Sequence, residues 1–211
     1  MKQTKRKQAL LGLPDIEWEW PHDDSVLWKA APQVSFVAEV LTHVPGRRLA
    51  IQAGSGGGVY PVRLALEFER VFTFEVEQRN ITACKENFRE YPNITLIEAA
   101  VGKDHRKRKF ISGGANSGAG YLDGLGEIPT VRIDDYGLNP DLIWLDIQGH
   151  EPEAIEGAMD TIRRCHPAVV LEQEMIAYMK NWGFNADTAG QMLVQEGYTQ
   201  KAKGGHDVLW T

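Results

Sequence analysis

The sequence predicts an α/β fold: a single domain on a doubly wound, mostly parallel sheet that finishes in a C-terminal antiparallel hairpin. Three observations predict it. Short apolar runs alternate with runs of helical spacing from Arg48 to Glu172, the pattern of a parallel sheet covered on both faces. A glycine-dense turn, Gly54 to Gly58, joins the first such strand to the helix after it, and a second strand ends in Glu75. Tyr198 to Trp210 reads as two strands about a Gly204-Gly205 turn.

The elements follow in order. Gln33 to His43 has helical spacing, with Val34, Val37, Val40 and Leu41 on one face, and Pro45-Gly46 ends it. Arg48–Ala53 reads as a strand and Val59–Phe68 as a helix that tolerates Pro61 in its first turn. Val71–Glu75 is a strand, Gln78–Glu90 a helix and Ile94–Ala99 a strand, with right-handed crossovers. Arg106–Ser112 reads as a short charged strand, Gly113–Gly126 as a long Gly/Asn/Ser loop and Pro129–Ile133 as an extended run. Leu142–Ile147 is an apolar strand interrupted by Asp146. Glu151–Arg164 is a helix, Ala168–Glu172 a strand and Asp187–Glu196 a helix. Residues 33–211 form the domain. Residues 1–32 form an N-terminal extension rich in tryptophan, and Trp18, Trp20 and Trp28 either pack on the domain or line a substrate entrance.

Composition narrows the function. A chain of 211 residues with 43% hydrophobic and 25% charged residues suits one ordinary globular domain. The net charge of −6 argues against broad nucleic-acid binding, and the basic cluster Lys2 to Lys7 reads as a solvated terminus. No apolar run reaches the roughly 18–20 residues of a membrane span, and no signal-peptide core follows the basic start. Cys84 and Cys165 lie far apart and follow no metal spacing, so they fit thiols of a reducing compartment. The expectation is a cytoplasmic protein with neither membrane nor nucleic-acid partner and no bound metal.

Two motifs carry chemistry. Leu49 to Tyr60 reads LAIQAGSGGGVY, and Val71 to Glu77 reads VFTFEVE. Glycines let a backbone come close to a ligand. An acid on the next strand, about 20 residues on, can accept hydrogen bonds from ribose hydroxyls. The turn has no GK[ST] and is spaced G-x-G-x-G, so neither a P-loop nor a dinucleotide fingerprint fits. A short loop with an acidic partner suits S-adenosylmethionine, which has ribose and adenine but no pyrophosphate. On this reading Gly54, Ser55, Gly56 and Gly58 shape the loop around the methionine part and Glu75 holds the ribose. An NAD-dependent oxidoreductase on a similar sheet, a cofactor-binding protein without catalysis, and a plain flexible turn are the alternatives.

The second motif is DIQGHE, Asp146 to Glu151. A carboxylate ending a buried strand is costly unless it is paired or serves a site. Asp146 would lie near the sulfonium or the acceptor, with His150 or Glu151 as candidate base. Against this, Glu151 suits a helix start and His150 a protein surface. Glu98, Ala99 and Ala100 end the third strand and leave room for a flat adenine, or merely for close packing. Asn116-Ser117-Gly118 either closes over the cofactor or makes a turn. Glu172 is another carboxylate at a strand end.

In order, IQAGSGGGVYP (51–61), VFTFEVEQRN (71–80), LIEAAVG (96–102), IPTVRIDDY (128–136), DLIWLDIQGHE (141–151), AIEGA (154–158) and PAVVLE (167–172) resemble the FkbM-type methyltransferases. These form a branch of the S-adenosylmethionine-dependent, Rossmann-like class. The resemblance runs from Arg47 to the end. It implies O-methyl transfer from S-adenosylmethionine to a hydroxyl on a sugar, glycan or natural product, and it adds Gln52 and Val76 to the cofactor-binding set. The chain departs from the family twice: Gln52 replaces the acid of D-x-G, and Gln148 replaces the acid of D-x-E-G.

Overall fold

The computed structural model describes residues 13, 18–21, 35–173, 179 and 182–211. Its core is a seven-stranded sheet. The strands are β1 (Leu49–Ala53), β2 (Arg70–Phe74), β3 (Ile94–Ile97), β8 (Leu142–Leu145), β9 (Ala168–Glu172), β10 (Gln200–Gly204) and β11 (Asp207–Trp210). They lie in the order β10-β11-β9-β8-β1-β2-β3. From β9 to β3 the pairing is parallel, and β11 runs antiparallel to both β9 and β10. The order reverses at β1, whose neighbours are β2 and β8. In such a sheet, ligands bind outside the carboxyl ends of the strands at that reversal.

Strand periodicity divides the core. Ala50, Leu142, Trp144, Val170 and Leu209 face one layer, with α1 (residues 35–41) and α2 (Val59–Ala65). Ile51, Ile143, Leu145, Val169 and Leu171 face the other, with α4 (Glu151–Glu156), α5 (Met159–Cys165) and α6 (Thr188–Gln195). Successive residues point to opposite faces and both faces are covered, so β1, β8 and β9 are apolar throughout except for Gln52 and Glu172. Between β2 and β3 lies α3 (Gln78–Asn87).

The structure departs from expectation where tertiary contacts outweigh local pattern. The long run from Glu151 is two helices, because Gly157 presses on the backbone of the loop at Gly102. A Cβ on Gly157 would stand 2.0 Å from the Gly102 carbonyl oxygen. The second helix, α5, starts afresh with Asp134 Oδ1 accepting from Thr161 N at 2.8 Å. Gly113–Gly126 is not an open loop. It holds a 3-10 turn (Ser117–Ala119) and β6 (Tyr121–Leu125), which pairs antiparallel with β5 (Arg108–Ile111). Its Gly120 serves close packing, since a Cβ there would strike the Phe110 ring. The third strand stops at Ile97, and β4 (Ala100–Val101) pairs separately with β7 (Thr130–Val131). The terminal hairpin turns at Gly205-His206, one residue later than the sequence predicts. Positions 33 and 34 of the first expected helix lie outside the described residues, as do Trp28 and most of 1–32.

Candidate active site

Sheet register builds the site. Ala53 pairs with Phe74 and with Leu145, and Leu145 pairs with Leu171. The next residue on each strand therefore falls in one row along the carboxyl edge: Gly54, Glu75, Asp146 and Glu172. Antiparallel β11 begins at this edge, with Asp207 opposite Glu172. A cavity of about 500 Å³ opens over the row.

The glycine loop is fixed from beneath. Gly54 N and Ser55 N donate to the Phe74 carbonyl at 3.0 and 3.3 Å. Gly54 has φ +85°, and a Cβ there would stand 1.8 Å from the Asp146 carbonyl oxygen, so this contact between the two motifs requires glycine. Gln52 is fully buried. Its Nε2 donates to the Ala53 and Gly54 carbonyls, both at 3.0 Å, and its Oε1 accepts from Thr73 Oγ1 at 2.5 Å. A carboxylate could not make the first two bonds, which accounts for an amide at this position. Gln52 thus braces the loop from outside the cavity lining. Gly58 also stands behind the loop, facing Phe88 and Cys84. Ser55, Gly56 and Gly57 line the cavity, and Trp20 covers Gly57. Asn87 ties that cover down, donating to the Glu19 and Gly57 carbonyls and accepting from Glu19 N.

At one end of the cavity Glu75 is 7% exposed and already engaged by four donors. Oε2 accepts from Gly56 N at 2.8 Å and Asn80 Nδ2 at 3.3 Å. Oε1 accepts from Val76 N at 2.7 Å and Glu77 N at 2.9 Å. Burial pushes this carboxyl up, and the four hydrogen bonds oppose the shift. Val76, Ala99, Ala100, Asn116 and Ser117 line the same end, with Asn80 and Tyr121, which the sequence reading did not assign to the site. Glu98 does not line the cavity. It is exposed and its Oε1 lies 2.6 Å from Lys85 Nζ, because β3 ends before it and the chain turns away.

Asp146 and Glu172 line the cavity at the other end of the row, and Tyr60, Gln148, His150 and His206 also line it. The carboxyls of Asp146 and Glu172 hydrogen-bond to one another. Gln148 Nε2 donates to Asp146 Oδ1 at 3.2 Å and to Glu172 Oε2 at 2.8 Å. Gln148 reaches both from a left-handed backbone, φ 54°. An acid here would add a further negative charge to the pair, so this departure from the family pattern relieves the crowding. Burial and the charge of Asp146 push Glu172 and Asp207 well above the ordinary carboxylate range. Tyr60 OH lies 3.4 Å from Asp207 Oδ2.

Two candidate bases are placed differently from expectation. Glu151 is 2% exposed and lies outside the cavity lining. Its Oε1 accepts from Ile147 N at 2.8 Å and so braces the turn that carries Asp146. His150 does line the cavity, but its Nε2 is 3.1 Å from Glu153 Oε2. Glu153 Oε2 also takes Arg108 Nη2 at 2.8 Å, and Oε1 takes Lys103 Nζ at 3.2 Å. Among the described residues no cluster of His, Cys, Asp and Glu could hold a metal ion.

The raised carboxyls set a pH dependence. The folded state keeps protons on Glu172, Glu151 and Asp207 that the unfolded chain releases above its ordinary value of about 4. Stability is therefore expected to fall as pH rises from that value through the raised ones. Thermal melts should show a lower Tm near pH 9.5 than near pH 7, with a shallower drop in Glu172→Gln. A flat wild-type profile would contradict the assignment.

The family model for the methyltransferase FkbM domain matches residues 50–198. The chain belongs to the FkbM methyltransferase family. The match covers all the edge residues of the site except Asp207, and it sets the oxidoreductase alternative aside. A curated relative, 2-O-methyltransferase NoeI of Sinorhizobium fredii, is 28% identical over 121 residues, or 45% of this chain and 50% of the relative. The crystal structure of methyltransferase FkbM from Methylobacillus flagellatus superposes with TM-score 0.55 at 16% identity, over 99% of this chain and 58% of that one. N-methyltransferase NodS from Bradyrhizobium japonicum gives TM-score 0.51 at 14% identity, over 89% and 96% of the two chains. At these identities the two structures show a shared fold. This chain therefore spans little more than half of the first structure and aligns with half of the curated relative.

The site fits the methyl donor that the family implies. Ser55, Gly56 and Gly57 line the cavity with backbone and small side chains, and Ala99 and Ala100 leave room for a nucleoside beside Glu75. No helix of the described residues is long and apolar enough to cross a membrane.

Proposed function

We propose that this FkbM domain is an S-adenosylmethionine-dependent O-methyltransferase that acts on a hydroxyl of a sugar, glycan or other natural product. One observation carries the reading. Register sets Glu75 with its neighbours at one end of a single cavity and the Asp146–Glu172 pair at the other. The first end suits a nucleoside and the second suits a hydroxyl. S-adenosylmethionine, when bound, supplies an electrophilic methyl group. Asp146 would accept a hydrogen bond from the acceptor hydroxyl, aim its oxygen and take its proton. Gln148 and Glu172 fix the carboxylate. His150 is left with Nδ1 alone for any proton transfer, because Nε2 faces Glu153. The printed activity of the NoeI relative, 2-O-methyl transfer, supports an oxygen acceptor. The net charge of −6 and an acid-lined acceptor end favour an uncharged polyhydroxyl acceptor over a nucleic acid. The two free cysteines support a cytoplasmic location.

The test is transfer of labelled methyl from S-adenosylmethionine to a panel of sugars, glycans and hydroxylated natural products. The expected product is a methyl ether, stable to mild base and assigned by mass spectrometry. Label on an amine, or a base-labile carboxyl ester, would overturn the O-methyl reading.

A further inference from the structure

The structure divides the N-terminal tryptophans between packing and the cavity. In an extended segment alternate side chains share one side, so in Trp18-Glu19-Trp20 the two indoles meet and Glu19 is exposed. Trp18 is buried in the core layer that holds Val59 and Tyr60. Trp20 is only half-buried, and it lines the cavity. The segment is pinned in place. Asn87, at the end of α3, accepts from Glu19 N at 2.8 Å and donates to the Glu19 carbonyl at 2.9 Å and to the Gly57 carbonyl at 2.8 Å. Trp18 stacks on Trp20 with ring centroids 5.4 Å apart and planes 20° from parallel. Cε3 and Cζ3 of Trp20 lie 3.4 Å from where a Cβ on Gly57 would stand, which is ordinary contact. Trp18 takes one face of the indole, so Trp20 offers its remaining surface to the cavity as a fixed, flat, apolar wall.

We infer that Trp20 is the platform for the acceptor and packs on the C–H face of a sugar ring whose hydroxyl meets Asp146. The inference rests on the polyhydroxyl acceptor proposed above and narrows it to a ring with an apolar face. A pyranose carries hydroxyls around its rim and C–H bonds on its faces. A site for one needs polar groups for the rim and a flat apolar surface for a face. This cavity has both, with the Asp146 and Glu172 carboxyls on the sheet edge and Trp20 on the wall. The chain also joins the two. Gly57, which Trp20 touches, leads into α2, and Val59 and Tyr60 at the start of α2 line the same cavity. Tyr60 OH reaches Asp207, which pairs with Glu172. Trp20 therefore stands on the part of the loop that runs toward the acid end. A tryptophan needed only for packing would be covered as Trp18 is. Trp20 keeps open surface, and that surface is turned to the cavity.

The experiment titrates methyl pyranosides of glucose, galactose and mannose into the full chain saturated with S-adenosylhomocysteine, read by saturation-transfer NMR. The matching open-chain polyols, glucitol, galactitol and mannitol, carry similar hydroxyls without a ring face and serve as controls. At least one glycoside is expected to bind more tightly than its polyol. Trp20→Leu keeps apolar bulk and loses the plane. In it the Kd of that glycoside should rise about tenfold, the worth of roughly 50 Å² of apolar contact. Trp20→Phe should restore most of the affinity. The Kd of S-adenosylhomocysteine, measured by calorimetry, should be the same in all three proteins. Glycoside binding should also shift the tryptophan fluorescence of wild type, and the shift should vanish in Trp20→Phe, a test that does not need the leucine variant to fold. Equal glycoside affinity in wild type and Trp20→Leu, or a fluorescence shift that survives in Trp20→Phe, would overturn the platform alone. Weaker S-adenosylhomocysteine binding in Trp20→Leu would assign Trp20 to the cofactor instead. Tighter binding of catechol than of every glycoside would assign the wall to a flat aromatic acceptor. Wild type that takes up S-adenosylhomocysteine but prefers no glycoside to its polyol would overturn the sugar ring and leave the methyl donor standing. Wild type that does not bind S-adenosylhomocysteine would overturn the cofactor reading itself.

Discussion

Asp146→Asn is expected to cut methyl transfer by on the order of 10³-fold while leaving the domain folded. Asparagine keeps the side-chain volume and an Oδ1 that can still accept from Gln148, and the contacts to β1 and the glycine loop are made by the backbone. Asp146 N donates to the Ala53 carbonyl, and the Asp146 carbonyl is what Gly54 packs against. On the proposed mechanism the negative charge that would aim the acceptor hydroxyl and take its proton is lost, and a general base contributes about 10²–10⁴-fold. The variant also removes the charge that helps to hold Glu172 protonated, so Glu172 ionises more readily in it. Glu172→Gln leaves Asp146 charged and should lose far less activity, since glutamine can still accept from Gln148. Single-turnover transfer at saturating donor separates lost chemistry from lost binding. Full activity in Asp146→Asn would remove Asp146 from the reaction. A large loss in Glu172→Gln beside a small one in Asp146→Asn would exchange their roles.

Glu153→Ala is expected to destabilise the fold by about 3–5 kcal/mol, the range for a buried ion pair stripped of one partner. The carboxylate is 2% exposed and takes Arg108, Lys103 and His150 together. Burial alone would push it up, but His150 beside it and the hydrogen bond from Arg108 outweigh that and hold it well below the usual range. Its contribution is complete above the ordinary glutamate value and is lost as pH falls through the depressed one, so this network protects the domain at neutral pH and fails in acid. Without Glu153 the Arg108 guanidinium, 3% exposed at its side chain, keeps among the described residues the more distant Asp104 at 3.8 Å and the face of Trp182. At roughly 2–4 °C per kcal/mol for a domain of this size, Tm should fall by about 10 °C or more. A drop of a degree or two would show that the network is energetically idle.

The parts legible in the sequence were those that depend on strand ends. Buried apolar runs mark β1, β2, β8 and β9, and whatever follows each run sits at the carboxyl edge. Gly54, Glu75 and Asp146 could thus be aligned without coordinates. Contacts between elements distant in sequence left no such trace. Gly157 looks like any residue inside a helical period until the Gly102 loop lies against it. Glu98 reads as a site acid only if β3 runs two residues longer than it does, and Lys85 on α3 claims it instead. The glycines between 113 and 126 read as flexibility, yet Gly120 is close packing against Phe110. Glu151 and His150 both sit where an acid and a base belong, but Ile147 N and Glu153 engage them. Gln52 and Gln148 looked like losses by reference to the family pattern. In the fold each supplies an amide donor that a carboxylate lacks.

Everything proposed for this site depends on a nucleoside cofactor lying along the edge from Glu75 to Asp146, and equilibrium binding decides that. The full chain is titrated calorimetrically with S-adenosylhomocysteine and, separately, with NAD+. S-adenosylhomocysteine is expected to saturate at one molecule per chain and to raise Tm, adding about 2.7 kcal/mol of stability at a hundredfold excess over Kd. NAD+ is expected to give no binding heat. Saturation by NAD+ in its place, or no uptake of S-adenosylhomocysteine at millimolar concentration, would contradict the assignment.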